Sequence, residues 1–156
     1  MKNKTLIVSI IVVIIVLVAV FAYQNRLSTV VNQEYSSHDI IRMPEAKSLE
    51  TVELKNGDTY NLTASYVKKN INGSEYRMLA YNGSIPGPLI KVAQGSEVTI
   101  NFKNGTDVNT LLHSHGVRMD NAFDGSQTSQ EEIKPGASFT YKLKFPDAGM
   151  YWYHPH

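Results

Sequence analysis

The sequence predicts an all-β domain, a sandwich or barrel of about eight short strands. Three observations carry that reading. Apolar and polar residues alternate with a period of two, most clearly where Val98, Ile100 and Phe102 interleave with Thr99, Asn101 and Lys103. Asn-Gly pairs at 56–57, 72–73, 82–83 and 104–105 divide the chain into short runs. After the N-terminal apolar run there is no amphipathic helical period and no internal repeat.

The N-terminal run comes first in the chain. Lys2 and Lys4 precede Leu6 to Ala22, a stretch without a charge and almost all aliphatic. About 17 apolar residues is the lower end of what spans a bilayer as a helix. The basic start would leave the N-terminus in the cytoplasm and send the domain outward. Residues 1–23 therefore read as one hydrophobic helix, either a signal anchor in the membrane or a cleaved signal peptide, with small residues around Val20-Phe21-Ala22. Either way the domain is expected to be extracytoplasmic, periplasmic or at the cell surface, and secreted if the helix is cleaved. Residues 24–46 are polar and aperiodic, as in a linker, and His38 within them reads as a solvated histidine.

The domain is expected over 47–156. Thr51 to Leu54 and Thr59 to Val67 flank Asn56-Gly57, the dipeptide most typical of a tight hairpin. Asn72-Gly73 leads into a strand over Tyr76 to Tyr81. Pro86-Gly87-Pro88 cannot sit in a central strand and reads as a rigid surface connection. Ile90 and Val92 give a short strand, and Val98 to Lys103 a half-buried one. Leu111 to Val117, Phe139 to Phe145 and Met150 to His154 complete the set. The Asn-x-Ser/Thr sequons at Asn61, Asn72, Asn82 and Asn104 read as by-products of this turn-rich composition.

Composition excludes several functions. The formal net charge is +1, and no basic patch is interleaved with aromatics, so nucleic acid is not an expected partner. There is no cysteine, so no disulfide framework holds the fold. A blue-copper electron-transfer site needs a Cys thiolate, so this chain cannot build one unaided.

Four of the five histidines fall in two pairs, His113-Ser114-His115 and His154-Pro155-His156. On a strand, residues i and i+2 share a face, so each pair presents two imidazoles side by side. Neutral imidazole is a common ligand of copper and zinc. Together the pairs could bind one ion through four nitrogens, or form half of a larger cluster. Gathering four imidazoles without a metal would leave buried ring nitrogens unpaired, at about 1–3 kcal/mol each.

The residues around the pairs carry a resemblance. Tyr81-Asn82-Gly83, Pro86-Gly87-Pro88-Leu89-Ile90 and Gly95 form a first block. His113-x-His115-Gly116, Asp124-Gly125, Gln130, Ile133, Pro135-Gly136, Phe139, Tyr141 and Gly149-x-Tyr151-Trp152-Tyr153-His154-x-His156 form a second. Over Tyr76 to His156 the chain resembles the N-terminal cupredoxin-like domain of the multicopper oxidases, the laccase and metallo-oxidase family. The resemblance implies a Greek-key β-sandwich or barrel. It implies a domain that supplies half of the histidines around a trinuclear copper cluster. On it, His113 corresponds to a type 2 copper ligand, and His115, His154 and His156 to ligands of the type 3 pair. Asp124 matches an acid near the cluster that assists proton delivery. A turn residue before Gly125 is the other reading of Asp124. Ser114 stands where the family often has Trp or Phe, on the face away from the metal.

The chain stops on His156, itself one of the matched ligands. The expectation is a C-terminally truncated piece of a longer protein, whose further cupredoxin domain or domains, in cis or in a trimer, carry the other ligands and the type 1 site. The resemblance then implies one-electron oxidation of a small-molecule or metal-ion reductant coupled to reduction of dioxygen to water, with the chain alone inactive. The alternative is a membrane-anchored extracytoplasmic module that stores or delivers copper. A two-domain nitrite reductase relative ranks last, because that family lacks paired His-x-His motifs of this kind.

Overall fold

A computed structural model of the chain describes residues 12–24 and 37–156. Residues 12–24 form a helix, α1, with exposed side chains. Among the described residues no helix is long and apolar enough to cross a membrane. The rest of the expected membrane segment, Leu6 to Ile11, lies outside the described residues, as does most of the expected linker. The second compact unit spans Ser37–His156. It opens with a short helix, α2 (Ser37–Ile41), within a stretch that has no clear periodicity. Ala46 N donates to Lys68 O at 2.8 Å and Lys68 N to Pro44 O at 2.9 Å, which fastens this approach to the sheet.

Eight strands follow: β1 (Thr51–Leu54), β2 (Thr59–Ile71), β3 (Ser74–Tyr81), β4 (Leu89–Val92), β5 (Glu97–Asn104), β6 (Leu112–His115), β7 (Ser138–Lys144) and β8 (Trp152–Pro155). They form one sheet in the order β3-β2-β5-β7 and two ribbons, β1-β4 and β6-β8. The all-β expectation holds. Val98, Ile100 and Phe102 are buried as their alternation required, together with Leu62, Leu111, Leu112, Ile133, Tyr141 and Leu143. This core lies between the four-stranded sheet and the β6-β8 ribbon.

The Asn-Gly turns behave differently from one another. Asn72 and Gly73 have φ of 54° and 87°, and Ile71 pairs with Ser74, so this is a two-residue hairpin with two left-handed residues. At 56–57 only Gly57 has positive φ, and β1 and β2 do not pair. The expected first hairpin is absent for a visible reason. Asn56 Oδ1 accepts from Glu97 N at 2.8 Å, and Gly57 N donates to Glu97 O at 2.7 Å, so the turn is bound to β5 instead. β1 then pairs in parallel with β4, and β2 in parallel with β5.

Two connections position the strands that carry the paired histidines. Asn104 is fully buried with its amide fully used. Its Nδ2 donates to Val108 O and Ile133 O, both at 2.8 Å, and its Oδ1 accepts from Thr106 N and Oγ1. This fixes the loop that delivers the chain to Leu111. The Pro86-Gly87-Pro88 segment was expected at the surface, but Pro88 is fully buried. Its carbonyl accepts from Tyr153 of β8, which draws the segment inward.

Candidate metal centre

The site is built by the β6-β8 ribbon. In its antiparallel register His113 faces His154 and His115 faces Trp152. Reciprocal bonds of 3.2 Å between Leu111 and His156 extend the ladder past the end of β8. Leu112 and Ser114 turn into the core, so His113 and His115 turn out together. Ser114 is buried on the face away from the imidazoles, as its place in the alternation requires.

All four paired histidines gather on that outer face. The His113 ring centroid lies 5.5 Å from that of His115, 5.3 Å from that of His154 and 5.3 Å from that of His156. His115 and His154 are 5.8 Å apart, and His154 and His156 are 5.7 Å apart. Ligand nitrogens of His113, His115 and His154 all lie within 4.8 Å of one another. Two nitrogens on one ion, each bonded at about 2 Å, stand at most about 4 Å apart, so small ring rotations would close this trio on a metal. His156 lies beside the trio without joining it. The side chain of His38 lies outside the described residues.

Hydrogen bonds fix which ring nitrogen is free. His113 Nδ1 lies 2.5 Å from the main-chain oxygen of Asp124, and His154 Nδ1 lies 2.9 Å from that of Pro155. A carbonyl oxygen only accepts, so both Nδ1 atoms carry the proton. Nε2 of each ring keeps its lone pair for a metal. A metal-ligating histidine commonly holds its second nitrogen in this way. The residues present fit a metal of the kind imidazole prefers.

The neighbours hold the site in shape. Trp152, the single tryptophan, stacks on His115 with centroids 4.3 Å apart and planes 24° from parallel. Tyr141 accepts the Leu112 amide hydrogen at 3.1 Å, next to His113. Burial raises the Tyr141 phenol above its ordinary pKa, and the Leu112 contact opposes that rise. The Gln130 amide lies by the same hydroxyl and, with the Leu112 contact, opposes that rise. Arg118 forms a two-point pair with Asp147 at 3.0 and 3.1 Å, tying the outgoing end of β6 to the approach to β8. The clefts beside Gln127 and Lys134 and beside Arg118 and Lys142 contain none of the four histidines.

Asp124 answers to both of its sequence readings. It closes the short 3-10 turn Asn121–Phe123 and precedes Gly125, which has φ of 72°. Its carboxylate also reaches to 3.6 Å from His113 Nδ1. Gly125 is the residue that allows this approach. A Cβ there would stand 1.9 Å from Leu112 O and 3.0 Å from His113 Cα. Periodicity did not reveal Gly125, Tyr141 or Tyr153 as parts of the site. They stood out only through the family resemblance.

The multicopper oxidase family model matches residues 63–156, a longer span than the motifs alone had suggested. The chain belongs to the multicopper oxidase family. It is 37% identical over 98 residues to the multicopper oxidase MmcO of Mycobacterium tuberculosis, covering 63% of this chain and 19% of that protein. It is 31% identical over 123 residues to copper resistance protein A of Escherichia coli, covering 78% of this chain and 19% of that protein. The solved multi-copper oxidase of Pseudomonas thermotolerans aligns with a TM-score of 0.61 and 34% identity over 69% of this chain and 26% of that one. The chain thus spans about a fifth of the length of these curated relatives.

Proposed function

We propose that this chain is the copper-binding first domain of a multicopper oxidase, supplying His113, His115, His154 and His156 to a trinuclear cluster completed by another domain. One observation carries the reading. Four imidazoles share an open face of one ribbon, and the two whose second nitrogen is hydrogen-bonded both keep Nε2 free. His113 is assigned to type 2 copper, and His115, His154 and His156 to the type 3 pair. The partner is one or more further cupredoxin domains, in cis or in a trimer, which also bring the type 1 site. Bound copper would supply the one-electron chemistry by which a small-molecule or metal-ion reductant is oxidised and dioxygen reduced to water.

The chain's own residues have separate tasks. The Asp124 carbonyl orients His113, and the Asp124 carboxylate stands where it can pass protons toward the site, since forming water from dioxygen consumes them. Trp152 holds the plane of His115. The basic start and apolar N-terminal run support a location outside the cytoplasm.

The test compares oxygen consumption by this chain alone with that of the complete protein, each loaded with copper and supplied with a phenolic or metal-ion reductant. Turnover by the complete protein and none by the chain alone is the expected result. Sustained turnover by the chain alone would overturn the half-site reading. The trio within 4.8 Å favours one alternative, a module that holds a single copper ion for storage or delivery. Tight binding of one equivalent by the chain alone, lost on replacing any one of the four histidines, would select that alternative.

A further inference from the structure

The Pro86-Gly87-Pro88 segment has no part in the ligand set, yet it touches the strand that carries half of it. Tyr153 precedes His154, so its side chain leaves β8 on the opposite side from the imidazole. There its hydroxyl donates to Pro88 O at 2.7 Å, across 65 residues of sequence. Its ring packs on Tyr81 with centroids 5.2 Å apart and planes tilted by 55°.

Tyr81 begins a row of rings. It meets Phe102 edge-on at 6.3 Å, and Phe102 meets Tyr141 edge-on at 6.3 Å. The row ends where the Tyr141 hydroxyl accepts from Leu112 N. One continuous aromatic row therefore backs both metal strands, reaching β8 through Tyr153 and β6 through Tyr141.

The Pro-Gly-Pro segment is itself held. The buried Ser84 hydroxyl sits between the carbonyls of Pro86 at 2.6 Å and Ser48 at 2.9 Å. Leu89 N donates to Glu50 O at 2.7 Å. Gly87 leaves no slack, because a Cβ there would stand 3.0 Å from the Tyr153 hydroxyl oxygen and 3.2 Å from Tyr81 Cβ.

We propose that this segment is a latch for β8, in which the Pro88 carbonyl and the Tyr153 hydroxyl set the position of His154 and His156 against His113 and His115. Tyr153 is then a positioning residue. Ring packing alone would not fix the strand along its own axis, because a phenyl ring slides with little loss of contact. A hydrogen bond to a held carbonyl resists that slide, since it weakens steeply away from its preferred geometry. The inference rests on the copper reading above.

The test uses the complete, copper-loaded protein. Tyr153→Phe keeps the ring and removes the bond. Gly87→Ala presses on the same contact from the other side. Val67→Ala removes volume from a buried site on β2 outside the cluster behind the ribbon, and serves as a control for general destabilisation. The latch predicts that Tyr153→Phe weakens copper binding on the order of tenfold, the scale on which partners behind metal ligands act. It also predicts an altered copper paramagnetic resonance spectrum, shifted the same way by Gly87→Ala. Val67→Ala should lower the melting temperature and leave affinity and spectrum alone. Wild-type affinity and spectrum in Tyr153→Phe would overturn the latch.

If the wild-type protein binds no copper, the copper reading fails, and hydrogen exchange decides the latch by itself. Faster exchange of the His156 and Leu111 amides in Tyr153→Phe, with Ile100 unchanged, would support it. Unchanged exchange at His156 and Leu111 would overturn it.

Discussion

At the scale of single residues, the contact that fixes His113 comes from the backbone of Asp124, whereas the acid of Asp124 is a longer-range neighbour. The two roles can be separated by mutation. Asp124→Asn keeps the carbonyl and the turn, so copper content and affinity should stay within about threefold of wild type, well inside the tenfold that loss of a supporting partner produces. Oxygen turnover by the complete protein should fall by at least about 100-fold, the lower range for removing a proton-transfer group. Metal analysis beside oxygen-electrode rates checks both halves. Gly125→Ala should act in the opposite way. Left-handed φ costs a residue with a Cβ about 1–2 kcal/mol, and here that Cβ also strikes Leu112 O. Thermal unfolding should show a loss of at least about 2 kcal/mol, with copper binding lost as the 124–125 turn leaves His113. The histidine pairs were legible in the sequence because a strand's period of two puts i and i+2 on one face. That a main-chain oxygen accepts from His113 Nδ1, and so holds the ring proton there, was not legible, since any residue carries a carbonyl.

At the scale of elements, strand positions follow from alternation, and strand partners do not. Val98, Ile100 and Phe102 announced β5 and its buried face correctly. Asn56-Gly57 announced a hairpin that does not exist, because the dipeptide specifies a tight turn while the hydrogen bonds of Glu97 decide which strand it meets. Asn72-Gly73 does close a hairpin, and its geometry is testable. Asn72 sits at φ of 54°, a conformation that Asn and Gly tolerate better than other residues. Asn72→Ala should destabilise the domain by about 1 kcal/mol, and Asn72→Gly should lie within about 0.5 kcal/mol of wild type. Urea unfolding of the two variants beside wild type measures the difference. Equal stability of all three would show that this turn frays independently of the sheet.

At the scale of the whole molecule, the aromatic row behind the histidine-bearing strands gives the fold a definite response to alkali. Burial raises the Tyr81 phenol well above the ordinary tyrosine pKa, with the nearby Tyr153 and Tyr141 adding to the rise. Burial raises Tyr141 as well, against the opposing Leu112 amide. Alternation marked Tyr81 and Tyr141 as strand residues, but a single chain could not reveal that they meet through Phe102, because that contact joins β3, β5 and β7. The sign of the pH effect follows from proton counting. Unfolded, both phenols titrate near pH 10; folded, they hold their protons to higher pH. Between those values the native state binds more protons than the unfolded state, so stability falls as pH rises. Below about pH 10 both states are protonated and these two groups contribute no slope. Denaturant unfolding of the metal-free protein should therefore lose stability progressively above about pH 10, and Tyr81→Phe should flatten that decline. Phenolate absorbance gives the matching signal: Tyr81 and Tyr141 should ionise only as the protein unfolds. A decline as steep in Tyr81→Phe as in wild type would assign the alkaline transition to other groups.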